Sequence, residues 1–111
     1  MNFANATTKY VRISPRKARP VADMIRGLTV EQAFYQLYYS GTKTGRLLLK
    51  TLKSAVANAE TRHEADRDKM KVFKIFVDEG PTWKRAKSRN RGGRSPILKR
   101  TSHFNIVLSV E

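Results

Sequence analysis

Trp83-Lys84-Arg85-Ala86-Lys87-Ser88-Arg89-Asn90-Arg91-Gly92-Gly93-Arg94-Ser95-Pro96-Ile97-Leu98-Lys99-Arg100 is the stretch around which the rest of the chain is arranged. It carries eight lysines and arginines, and no acid interrupts the chain between Glu79 and Glu111. Both flanks read as β-strands. Before it, Lys71 to Val77 alternates Phe73, Ile75 and Val77 onto one face; after it, Leu98 to Val110 does so with Phe104, Ile106, Leu108 and Val110. A basic excursion between two strands, with no apolar face of its own, cannot be held by burial. It calls for a polyanion to lie against.

Working outward, Asp78-Glu79-Gly80-Pro81 reads as the turn where the core ends and the excursion begins, and Arg91-Gly92-Gly93-Arg94 as its tip. About ten residues out and ten back would reach roughly 30 Å at strand rise, well beyond the radius of about 13 Å for a compact body of this length. Upstream, Phe3 to Ile13 ends in a β-prone Lys-Tyr-Val-Arg-Ile. Ser14-Pro15 then opens a helix, since Ser is a favoured N-cap and Pro fits the first helical position. Ala18, Val21, Ala22 and Ile25 form its apolar stripe, and Gly27 stops it. Pro20 sits inside and removes the bond to the Arg16 carbonyl, so a kink or a downstream shift is expected.

Thr29-Val-Glu-Gln32 is a capping-box pattern for a second helix, with Val30, Ala33, Phe34 and Leu37 inward and Gly41 at its end. A third helix, capped by Thr42 or Thr44, runs to about Thr61. Its inner row is Leu48, Leu49, Leu52, Ala55, Val56 and Ala59; Arg46, Lys50 and Lys53 form a basic outer row. His63 to Lys69 is a charged loop. The order predicts an α+β fold: three helices packed on one face of a small three-stranded antiparallel sheet, with a long basic β-hairpin extension. Residues 1–111 are read as a single domain and 80–100 as its extended arm.

The bulk chemistry agrees with a polyanion partner. Formal charge is +14, with 23 Lys and Arg against nine Asp and Glu, and the isoelectric point is near 10.7. Such a field attracts nucleic acid or an anionic membrane, and the abundance of arginine, which pairs bidentately with phosphate oxygens, favours a phosphate backbone. The absence of cysteine excludes disulfides, thiolate metal sites and thiol catalysis. No run approaches the roughly 20 apolar residues of a membrane span, and with a phosphate backbone as the favoured partner no membrane is expected. The start of the chain lacks a signal-peptide layout, and the expected location is cytoplasmic.

Arg12, Arg16, Lys17 and Arg19 form a second basic cluster at the opening of the first helix. Cations there oppose the helix dipole, and a phosphate would compensate. Trp83 can stack on a base or pack at the root of the hairpin. No catalytic constellation is present. His63 and His103 are far apart, one expected exposed and one in a strand. Gly41-Thr-Lys-Thr-Gly45-Arg46 lacks the spacing and ending of a phosphate loop. Asp66 and Asp68 form no metal loop, and Asp78-Glu79 reads as a turn or ion-pair partner. Neither enzyme activity nor a cofactor or metal is expected.

Lys9-Tyr-Val-Arg-Ile-Ser-Pro-Arg-Lys-Ala-Arg19, Asp23-Met-Ile-Arg-Gly27, Leu52-Lys-Ser-Ala-Val-Ala-Asn-Ala-Glu60, Val77-Asp-Glu-Gly-Pro81, Lys84-Arg85 and Leu98-Lys-Arg-Thr-Ser-His103 together resemble the large-subunit ribosomal protein twenty-two family, bacterial type. The resemblance covers nearly the whole chain. It implies a protein of the large ribosomal subunit that binds large-subunit rRNA, supports its assembly, touches neighbouring ribosomal proteins and lines the polypeptide exit tunnel with its hairpin tip, beside the nascent polypeptide. RNA-contact candidates are then Arg12, Arg16, Lys17, Arg19, Lys84, Arg85, Lys87, Arg89, Arg91, Arg94, Lys99 and Arg100. Tunnel-lining candidates are Lys84, Arg85, Arg89, Asn90, Arg91, Gly92, Gly93 and Arg94. Two departures from the family pattern are Pro20, where an aliphatic residue is usual, and Gly93-Arg94-Ser95-Pro96, where a more basic return arm is usual.

The rival class is a DNA-binding regulator, because the helices around Gly27-Leu28-Thr29 resemble a helix-turn-helix. The second of them carries no cation to hold it in a groove. Charge at the tip is testable directly. Replacing Arg89, Arg91 and Arg94 by alanine is expected to flatten the dependence of RNA affinity on salt, because fewer counterions are released; an unchanged slope would mean that the tip touches no phosphate.

Overall fold

The computed structural model describes residues 2–64, 66–88 and 94–110, with backbone only for 83–88 and 94–98. The elements run β1 (Asn2–Val11), α1 (Pro15–Ile25), α2 (Val30–Tyr39), α3 (Lys43–His63), a short 3-10 turn (Arg67–Lys69), β2 (Met70–Glu79), β3 (Trp83–Ser88), β4 (Arg94–Lys99) and β5 (Ser102–Val110). Three strands form an antiparallel sheet in the order β1-β5-β2, with the last strand in the middle. The three helices pack against one face. The fold is the expected α+β arrangement.

The central strand sets the core. Phe104, Ile106, Leu108 and Val110 are all buried, and each meets a buried partner on β2: Val77, Ile75, Val72 and Met70 in turn. These cross-strand pairs are the unit from which the sheet gains stability. On the other side Ala4 and Ala6 pair with Leu108 and Ile106. The small side chains on β1 face α3, whose inner row includes Ala55 and Ala59, both fully buried.

The β2 pairs reveal a break in the simple alternation. Val72 pairs with Leu108 and Lys74 with Val107, so Phe73 is an extra residue in a bulge. The inward set is Met70 and Val72 before the bulge and Ile75 and Val77 after it. Phe73, expected to face the core, is instead 46% exposed and lies against Phe3, with ring centroids 5.1 Å apart. A second bulge interrupts β1 between Thr8 and Val11. There Tyr10 takes φ 59°, and its N–H donates to His103 Nδ1 at 3.1 Å. The bulge helps end β1 at Val11 rather than Ile13.

Both sheet edges are covered by side chains from the helices. On β1, Asn58 donates to the Asn5 carbonyl at 2.9 Å and His63 Nε2 lies 3.1 Å from the Phe3 carbonyl. His63 is therefore half-buried against the sheet at the end of α3, not an exposed loop residue, because α3 continues to position 63. On β2, Arg19 donates to the Val77 carbonyl at 3.3 Å and Arg26 to that of Ile75 at 3.0 Å. The α1–α2 link completes this edge: Gly27 N–H donates to the Val72 carbonyl and Val72 N–H to the Leu28 carbonyl. Gly27 holds φ 83°, where a side chain would be strained. Edges satisfied in this way do not invite a foreign strand.

The helices start and end at caps, with two departures from expectation in α1. Thr29 and Gln32 form the reciprocal capping box, and Thr42 caps α3 through the Gly45 N–H. Ser14 precedes α1 but makes no side-chain cap bond. The helix continues through Pro20 without a downstream shift, and Pro20 is exposed. That is the side on which carbonyls tilt out to water and tolerate a lost bond.

If Phe104 is core and Phe73 is surface, their truncations must differ. Phe104→Ala is expected to cost about 3–5 kcal/mol in denaturant unfolding and Phe73→Ala under about 1 kcal/mol. Equal losses would contradict the bulge.

Candidate nucleic-acid interface

The hairpin begins where the sheet stops. Asp78 and Glu79 belong to β2 and not to a turn; Asp78 accepts from Asn105 at 3.2 Å, and Glu79 lies 3.9 Å from Arg100. Pro81, lacking an N–H, cannot continue the ladder. On the return side, the expected single strand Leu98–Val110 is split at Arg100-Thr101. Thr101 and Ser102 are fully buried, and their hydroxyls donate to the carbonyls of Pro81 and Ile13, each at 2.6 Å. Gly80 N–H donates to the Thr101 carbonyl at 3.0 Å. These bonds form a clasp at the root.

Beyond the clasp, β3 and β4 pair as a separate two-stranded ribbon, from Trp83 opposite Lys99 to Ser88 opposite Arg94. Each strand has six residues, or about 20 Å of strand. Lys84, Arg85, Lys87 and Arg94 hold register positions on this ribbon. The tip candidates Arg89, Asn90, Arg91, Gly92 and Gly93 lie outside the described residues. The molecule is elongated, with extents of 63 × 25 × 16 Å and a radius of gyration of 17.0 Å, against about 13 Å for a compact chain of similar length.

At the root the fold gathers cations that are far apart in sequence. A cleft of about 620 Å³ is lined by Arg12, Lys17, Lys43, Lys99 and Arg100 together with Ile13, Ser14 and Thr44. Three segments meet here: the β1–α1 junction, the start of α3 and the end of β4. None of these lining side chains is acidic. Two helix N-termini, those of α1 and α3, open at the cleft, and neither has an acidic residue in its first turn. Positive helix ends and basic side chains concentrated in one concavity favour an anion with several negative oxygens.

Four of the sequence-predicted contacts, Arg12, Lys17, Lys99 and Arg100, are thus brought together. Arg16 is exposed on α1 but does not line the cleft, and Arg19 is turned to the β2 edge. Lys43, outside the basic clusters of the sequence, joins them. Its Nζ lies 3.5 Å from the Arg12 carbonyl. The signal was available: a lysine in the first turn of a helix opposes the dipole in the same way as Arg16 and Lys17. Arg46, Lys50 and Lys53 are all exposed on α3. Among the described residues, no group of three His, Cys, Asp or Glu could hold a metal, and no helix is long and apolar enough to cross a membrane.

The family described as ribosomal protein L22p/L17e matches residues 6–109. This chain belongs to it. The family is one of ribosomal proteins and not of enzymes. Similar relatives are named large ribosomal subunit protein uL22: one from Protochlamydia amoebophila is 61% identical and covers 98% of both chains. Those from Chlamydia abortus and Chlamydia pneumoniae are 53% and 52% identical, each covering 93% of both chains. Membership agrees with the α+β body and the basic hairpin. The helix-turn-helix alternative has no support from α2, whose exposed face carries Glu31, Tyr35, Tyr38 and Tyr39.

Gly80 is the tightest point of the clasp. A Cβ there would fall 2.5 Å from Thr101 Oγ1 and 3.1 Å from the His103 ring, and Thr101 is buried and already bonded. Gly80→Ala is therefore expected to destabilise by about 1–3 kcal/mol, and Thr101→Val by about 1 kcal/mol for the orphaned Pro81 carbonyl. Thermal unfolding of both variants checks this; a wild-type Tm for Gly80→Ala would show that the clasp is loose.

Proposed function

We propose that this chain is a structural constituent of the large ribosomal subunit that binds large-subunit rRNA and supports its folding into the particle. The observation that carries the reading is the five-cation cleft at the hairpin root, built by three segments and lined by no acid. A cleft of that charge suits converging phosphates of a folded RNA. The relatives, each a large ribosomal subunit protein, support the same assignment.

The arm extends the reading. Lys84, Arg85, Lys87 and Arg94 on β3 and β4 are RNA contacts, while Lys99 and Arg100 serve the cleft. The tip, Arg89 to Gly93, together with Arg94 and the outgoing Lys84 and Arg85, lines the polypeptide exit tunnel, where the nascent chain is the neighbour. The elongated shape supports such a reach, since a compact body could not extend a probe into a narrow channel. Arg16 adds a phosphate contact on the body. Arg19 keeps its Nε on the sheet edge and offers the remainder of its guanidinium to RNA. Adjacent large-subunit proteins complete the partners, in the cytoplasm.

Arg12, Lys17 and Lys43 provide the test. Replacing all three with alanine is expected to reduce the slope of log affinity against log salt by about two to three units for large-subunit rRNA. Arg46→Ala with Lys50→Ala, on the outer row of α3, serves as the charge control. A slope reduced equally by that control would show diffuse attraction rather than a cleft.

A further inference from the structure

α2 buries Val30, Ala33 and Leu37 and turns three tyrosines outward. Tyr35, Tyr38 and Tyr39 are 67%, 69% and 72% exposed. They are mutually arranged rather than scattered. The rings of Tyr35 and Tyr39 stack at 5.8 Å with 16° between their planes, and Tyr38 stands edge-on to Tyr39 at 5.0 Å and 82°. The stacked pair borders two open cavities. One, of about 490 Å³, is also lined by Phe34, Lys53 and Arg67; the other, of about 370 Å³, is shared with Met24. The Arg67 guanidinium sits 5.5 Å over the Phe34 ring, and Glu60 holds its Nε at 3.3 Å.

We propose that this cluster is a second RNA-contacting surface, one that takes unpaired bases by stacking. The inference rests on the RNA-binding reading above but concerns different chemistry. The root cleft offers charge with little aromatic surface; the α2 face offers ring faces with two cations beside them. Flat aromatic surface next to Lys and Arg matches a base with its phosphate, and the 2′-hydroxyl edge finds phenolic partners. An apolar protein segment is a poorer fit, because Lys53 and Arg67 would lose water, and lysine is depleted at the cores of such interfaces. None of the side chains lining either cavity is acidic; Arg67 is ion-paired with Glu60, so Lys53 is the cation that turns the complementarity toward an anion. Unpaired nucleotides of a loop or bulge meet these requirements; a continuous duplex, with its bases stacked inside, does not.

The test uses the full chain and large-subunit rRNA. Ultraviolet irradiation of the complex is expected to leave nucleotide adducts on the peptide containing Tyr35, Tyr38 and Tyr39. Replacing all three with alanine is expected to weaken binding about tenfold for each base stacked, with the salt slope kept because no counterion is involved. Phenylalanine at the same positions should restore most of the affinity. Circular dichroism melts establish that the exposed substitutions leave the fold intact. Two results would overturn the proposal: unchanged affinity without adducts, or a loss accompanied by a shallower salt slope. The cleft variants are read separately by slope, so failure of the cleft and failure of the stacking surface give different patterns.

Discussion

The structure depends on one strand being buried from both sides of its hydrogen-bonding ladder. β5 lies between β1 and β2, so all its pairing capacity is used within the molecule. Its even side chains, Phe104 to Val110, supply the largest apolar row beneath the helices. Each such side chain contributes about 1.5–3 kcal/mol when fully buried, and together they fix register. A slip by one residue would put Phe104 and Ile106 in water and Asn105 in the core.

That central placement also aims the arm. β5 enters the sheet immediately after the hairpin, and β2 leaves just before it, so the ribbon is rooted at two adjacent, well-anchored strands. The clasp of Gly80, Pro81 and Thr101 converts this adjacency into a defined exit. Ser102, by holding the Ile13 carbonyl, brings the start of α1 beside the root. The basic cleft follows from that contact: it is the seam where arm, α1 and α3 meet.

Arginine is used here in two ways that composition does not separate. Arg19 and Arg26 satisfy carbonyls on the β2 edge, and Arg26 also pairs with Asp23 at 2.7 Å. Arg12 and Arg100 line the cleft. Net charge of +14 therefore overstates the cations given wholly to a partner. The edge arginines protect the sheet, and the cleft gathers Arg12 and Arg100 with three lysines.

Much was legible in the residues themselves because it is local. The capping box at Thr29 to Gln32, the stripe of α3, the alternation of β5 and the acid-free run from Gly80 to Val110 each rest on near neighbours and on periodicity. What escaped was set by pairing between distant segments. Phe73 looked inward because alternation carries no mark of a bulge; only the β2–β5 register reveals the extra residue. Lys43 looked ordinary until packing set the start of α3 beside Arg12 and Lys99. Arg19 carries no mark in the sequence of the Val77 carbonyl it meets once α1 settles on a strand edge. Sequence alone determined the elements, the charge and the existence of an arm, since these follow from spacing and composition. Only the tertiary structure decided which cations share a cleft, which guard an edge and which aromatic rings stay in water, because burial and long-range hydrogen bonds are properties of segments brought together.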